Sequence, residues 1–154
     1  MGLTIYAKHT KKSISWNYGI LHRIRKLALI SCGISFDTIN IFQTFRDKVK
    51  VWEIKEKANI TCNDLYRLQL AGYYYPELLF HSDCSGYYSC KNKNNDKFMY
   101  TGNIKKLYNE LKMLKEHDFD TEECSEGMKQ CLNDFYELVK EECESSKYAK
   151  IEFI

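Results

Sequence analysis

The apolar residues of this chain recur at two different periods, and the switch between them constrains the fold more than any other feature. Residues 2–8 (Gly-Leu-Thr-Ile-Tyr-Ala-Lys) alternate apolar and polar, and residues 13–18 (Ser-Ile-Ser-Trp-Asn-Tyr) alternate again. A period of two belongs to a strand with one buried face. The polar link from His9 to Lys12 joins the two as a β-hairpin, although its turn residues are not of the strongest kind. From Gly19 the period lengthens: Leu21, Ile24, Leu27, Ala28 and Ile30 fall on one helical face, and Gly33 stands where a C-terminal cap belongs.

The same alternation of periods continues. Asp37 can cap a short helix to about Asp47, with Ile39, Phe42 and Phe45 inward. Residues 49–54 read as a strand, and Thr61 or Asn63 can cap a helix through Leu70. Pro76 precedes the apolar run Leu78-Leu79-Phe80, read as a strand near 77–81 that leads into the loop His81–Gly86. Residues 91–97 are a polar loop. Thr101 then caps a helix with Ile104, Leu107, Tyr108, Leu111 and Leu114 on one face. A longer helix follows from about Thr121 to Ser146, and residues 149–154 alternate as a last strand. The expectation is an α+β fold in a single domain over 1–154. A small, mainly antiparallel sheet is packed by four to five helices. Its strands are the N-terminal hairpin, those near 49–54 and 77–81, and a C-terminal one at 149–153.

A chain of 154 residues with 44% hydrophobic and 29% charged residues fits one folded domain. Seven cysteines, an odd number with no CxxC pair, argue for reduced thiols and hence a cytoplasmic setting. The longest apolar stretch, Leu27 to Ile30, is far too short for a bilayer, so no membrane partner is expected. The net charge of +2 disfavours nucleic acid as a partner. The charge is uneven, however. Residues 1–50 hold nine Lys/Arg against two Asp/Glu, whereas residues 116–144 hold two Lys against eleven Asp/Glu. Such a split can steer an anionic ligand or drive homo-oligomers together. The simplest reading is that the two parts face each other and partly neutralise.

Two polar clusters are candidates for chemistry. The first is His81, Ser82, Asp83 and Cys84, just past an expected strand, where functional loops tend to lie. These residue types can ligate a transition metal, but no second ligand pair stands out. A calcium loop is disfavoured by Ser85 and by Asn94 where a Glu is required. Cys84 with His81 could form a nucleophile and base, but no hydrolase signature surrounds them. The second cluster is Trp16, Tyr18, His22, Arg23 and Arg25: two aromatics on a strand that runs into a basic helix start. Rings beside guanidinium groups suit a stacked base with its phosphate. The competing reading places Trp16 and Tyr18 in the core.

The run Ser15-Trp16-Asn17-Tyr18-Gly19, followed by His22-Arg23-Ile24-Arg25, resembles the N-terminal signature of an uncharacterised family of small phage and bacterial proteins, W-S-Y-S-G-F leading into F-R. Leu78 to Gly86 is similar to that family's L-L-x-H-S-D-C-D-G, with Ser85 in place of the usual Asp. The resemblance implies a phage or mobile-element setting and no particular activity. Three functions are expected from it and from the clusters. The first is a phage-type counter-defence protein in the host cytoplasm that sequesters a small anionic ligand, such as a signalling nucleotide. It would do so through Trp16, Tyr18, Arg23, Arg25, His81, Ser82 and Asp83, with neither cofactor nor metal. The second is a small enzyme acting on a nucleotide or ester through His81, Asp83 and Cys84. The third is an inhibitor or adaptor of a host protein acting through the acidic C-terminal helix.

Overall fold

The computed structural model describes residues 2–31, 75, 77–78, 86–90, 100–122 and 124–154. Strands β1 (Gly2–Ala7) and β2 (Ser13–Asn17) form the expected hairpin, with Leu3 opposite Trp16 and Ile5 opposite Ile14. Lys11 closes the turn at φ 59°, a left-handed position that bulky residues seldom occupy. The turn is held by the amide of Ala7 donating to the carbonyl of Lys12 and that of Lys11 to the carbonyl of Ala7, both at 2.9 Å.

Asn17 ends β2. Its Oδ1 accepts from the amide of Gly19 at 2.9 Å, which caps helix α1 (Tyr18–Ser31). Tyr18 is therefore the first helical residue, a correction to the expectation that the strand runs through it. Strands β3 (Gly86–Ser89) and β4 (Tyr100–Asn103) follow, then helices α2 (Ile104–Glu116) and α3 (Glu126–Ser145), and finally β5 (Lys150–Phe153). The strand order is β2-β1-β5-β3-β4. Only the β3–β4 pair is parallel, so the sheet is mainly antiparallel and the fold is α+β, as the periodicities predict.

Several boundaries differ from expectation. Thr101 lies within β4, and the cap of α2 is Asn103, whose Oδ1 accepts from the amide of Lys106 at 3.0 Å. Ser125 caps α3 by accepting from the amide of Met128, so that helix starts at Glu126 rather than near Thr121. Glu77 and Leu78 are helical where the strand near 77–81 is expected to begin, and residues 79–81 lie outside the described residues. The expected strand at 49–54 and the helices at 37–47 and 61–70 lie outside the described residues. Among the described residues the helices longer than three turns are α1, α2 and α3, against the four to five expected over the whole chain.

One face of the sheet carries the core. Leu3, Ile5 and Ala7 of β1, Trp16 of β2, Tyr88 of β3 and Ile151 and Phe153 of β5 are all buried. The helices lay apolar stripes against it: Leu21, Ile24, Leu27 and Ala28 from α1, Ile104, Leu107, Leu111 and Leu114 from α2, and Met128, Leu132, Phe135 and Val139 from α3. Phe135 sits at the centre, 5.6 Å from the Trp16 ring edge-on and 6.3 Å from that of Phe153. Each large side chain so buried contributes about 1.5–3 kcal/mol. No described helix is long and apolar enough to cross a membrane.

Gly102 of β4 lies opposite Tyr88 of β3. A Cβ there would meet the Tyr88 ring at 2.6 Å and the carboxylate of Glu77. Both neighbours are hydrogen-bonded, so neither yields cheaply. Gly102→Ala is expected to lower stability by about 1–3 kcal/mol through overpacking, read as a lower urea midpoint with an unchanged m-value.

Candidate functional site

The described residues concentrate buried polar chemistry at one place, the backbone of Glu77 and Leu78. Four elements converge on these two residues. Arg25 of α1, 2% exposed, donates from Nε to the carbonyl of Leu78 at 2.8 Å. Glu110 of α2, 4% exposed, accepts the amides of Glu77 and Leu78 on its two oxygens at 3.1 and 3.0 Å. Tyr88 of β3 donates its hydroxyl to the carbonyl of Glu77 at 2.7 Å. The Glu77 carboxylate in turn accepts the amide of Asn103, at the end of β4, at 3.0 Å.

This geometry explains why the pair is helical rather than extended. A carboxylate that accepts two successive amides does what a cap does at a helix start, and it withdraws those amides from any sheet ladder. Burial pushes the carboxyl of Glu110 up to about 8, against the pull of its two amide bonds. Burial also raises that of Glu77, with the Asn103 amide and Lys106 pulling the other way.

The pair leads directly toward the segment His81–Gly86. The far end of that segment is also fixed. Gly86 begins β3, pairs with Phe153 of β5 and Tyr100 of β4, and takes φ 152°, a conformation open to glycine and strained for other residues. Thus Leu78 and Gly86 are two anchored ends with the candidate motif between them. His81, Ser82, Asp83 and Cys84 themselves lie outside the described residues.

The second cluster is divided by the fold. Trp16 is 8% exposed and packs on Phe135, so its ring belongs to the core. Arg25 is buried as described above, and Arg23 is exposed on α1. Tyr18 opens α1. Arg25 bonds to the carbonyl of Leu78, which precedes His81 in the chain. Glu110 is the site residue that sequence reasoning missed. Its position between Leu107, Leu111 and Leu114 on the apolar stripe of α2 was the available signal.

The charge split is partly resolved within the fold. Lys12 pairs with Glu141 at 2.6 Å, and His9 Nδ1 lies 2.7 Å from Glu142. Glu116, Asp118, Asp120, Glu122 and Glu126 remain exposed. Among the described residues no group of three or more His, Cys, Asp or Glu side chains is arranged to hold a metal ion. Comparison with models of known protein families, with curated proteins and with solved structures gives no match.

Proposed function

We propose that this protein binds and sequesters a small anionic, nucleotide-like ligand and returns it unchanged, in the manner of a phage-encoded counter-defence factor acting in the host cytoplasm. The observation that carries the reading is the 2.8 Å bond from Arg25 to Leu78, which ties the basic helix α1 to the segment that runs into His81, Ser82 and Asp83. The exposed Arg23 supplies the charge that meets a phosphate, and His81, Ser82 and Asp83 meet the ligand's polar edges. Arg25 acts as a positioning residue, and Trp16 supports the site from the core. Tyr18 is the remaining aromatic for stacking. The resemblance to small phage and bacterial proteins rests on these same two stretches.

Calorimetry against cyclic and linear nucleotides tests the proposal. One of them is expected to bind and to be recovered intact on chromatography. Arg23→Ala is expected to weaken that binding about tenfold, the effect of one charge-assisted phosphate contact. Failure of every nucleotide to bind at millimolar concentration overturns the proposal, and recovery of a converted product replaces it with the enzyme reading.

A second reading, an inhibitor or adaptor of a host protein, is favoured by the exposed acids from Glu116 to Glu126. Reversing the charge of Glu116, Asp118, Glu122 and Glu126 should then abolish capture of a host partner while leaving nucleotide binding intact.

A further inference from the structure

A second cluster of reactive side chains lies where β3 and α3 end, beside the start of β5. Cys90 directly follows β3, where Ser89 pairs with Lys150 of β5. Its Sγ lies 3.8 Å from the carbonyl of Ala149, immediately before β5. Cys143 stands on the last turns of α3, next to Glu142, whose carboxylate accepts the amide of Lys150 at 2.9 Å. The end of β3 and the last turns of α3 therefore meet at residues 149 and 150, and each of these two ends carries one of the thiols. Both are free, half-buried and packed against the edge of the core. Burial raises the thiol of Cys143, and Cys90 adds to that rise.

We propose that Cys90 and Cys143 form a peroxide-responsive pair that closes into a reversible disulfide linking the end of β3 to the end of α3. Cys90 is the attacking thiol. Burial, with Cys90 and Glu142 nearby, pushes Cys143 up to about 11, so Cys143 is poorly ionised and suited only to the second step. The Cys90 thiolate attacks one oxygen of hydrogen peroxide; the O–O bond breaks, giving a sulfenic acid and, with a proton, water. The Cys143 sulfur then attacks the Cys90 sulfur, and hydroxide leaves with the Cys143 proton as a second water. In balance, two thiols and one peroxide give one disulfide and two waters, with two electrons passing from sulfur to oxygen. Cys124 is buried, and burial raises the thiols of both Cys124 and Cys131, which makes either a poorer first nucleophile. The site is independent of the ligand proposal, since none of its residues belongs to the Arg25–Leu78 junction.

The test is mass spectrometry of the full-length reduced protein after stoichiometric hydrogen peroxide and alkylation. The expected result is two fewer alkyl groups than the untreated protein takes up and a Cys90–Cys143 cross-linked peptide that dithiothreitol removes. Cys143→Ser should leave Cys90 as a sulfenic acid that dimedone traps, and Cys90→Ser should leave Cys143 reduced. Separate alkylation of both thiols after peroxide overturns the proposal, as does a Cys90 cross-link to any other cysteine. Circular dichroism establishes that the serine variants fold. If either does not, the peptide map of the unmutated protein decides alone.

Discussion

Glu142→Ala is expected to lower the unfolding free energy by about 4 kcal/mol, enough to unfold much of a marginally stable domain. The Glu142 side chain is wholly buried, and its two oxygens accept four hydrogen bonds. Oε1 takes the amides of His9 and Thr10 at 2.8 and 3.0 Å, and Oε2 takes the amide of Lys150 at 2.9 Å and Nδ1 of His9 at 2.7 Å. One carboxylate on α3 thus fastens the β1–β2 turn and the first residue of β5, the middle strand of the sheet. Alanine would leave three backbone amides without that acceptor, and each such loss costs about 1–3 kcal/mol where water does not replace it. Glu142→Gln keeps one oxygen for His9 and Thr10 but turns an NH2 toward Lys150, so it should lose about half as much. Urea unfolding measures both. Equal midpoints for Glu142→Ala and the unmutated protein would show that the clamp is not stabilising. Burial alone would raise this carboxyl, yet the bonds to Lys150, Thr10 and His9 outweigh it and hold the group below its ordinary 4.5. Its contribution is therefore complete above that value and declines as the carboxylate is protonated in acid.

Glu142 also shows what the sequence could and could not convey. The hairpin, α1, α2 and α3 were legible because each is long enough to display a period, and β5 because the apolar alternation around it runs from Ala149 to Ile154. Strands β3 and β4 were not. Gly86-Tyr87-Tyr88-Ser89 and Tyr100-Thr101-Gly102-Asn103 are four residues each, and they hold their place by pairing with distant partners, β5 and each other. The apolar run at Leu78 looked like a strand because nothing near it in the chain announces a cap; the capping carboxylate is Glu110 on another element. The buried charges share one signal. Arg25 falls on the stripe with Leu21, Ile24 and Ala28, Glu110 on that with Leu107, Leu111 and Leu114, and Glu142 on that with Phe135, Leu138 and Val139. A charged residue on an apolar helical stripe must be paired or hydrogen-bonded once buried. Read by that rule, the chain announces all three residues in advance, though not their partners, which only the packing of the helices on the sheet supplies.

Replacement of Glu110 should have an effect almost as large, with the opposite dependence on pH. Glu110→Ala removes the acceptor for the amides of Glu77 and Leu78 and is expected to cost about 3 kcal/mol. It also loosens the backbone that Arg25 holds, so the proposed nucleotide binding should weaken together with stability. The pH dependence separates this group from Glu142. A glutamate in the unfolded chain releases its proton near 4.5, whereas burial keeps the folded Glu110 protonated up to about 8. Between those values the folded state binds more protons than the unfolded one, so stability falls as pH rises. Glu77, which adds its own charge near Glu110 and is raised in the same direction, reinforces the trend, while the cation of Lys106 opposes it. Thermal midpoints across this range should fall toward alkaline pH in the unmutated protein and flatten in Glu110→Gln, which cannot ionise. An identical slope in the two proteins would assign the trend to Glu77 or to another group. A flattened slope with retained ligand affinity would show that Glu110 positions Leu78 through hydrogen bonding alone and that its charge plays no part in binding.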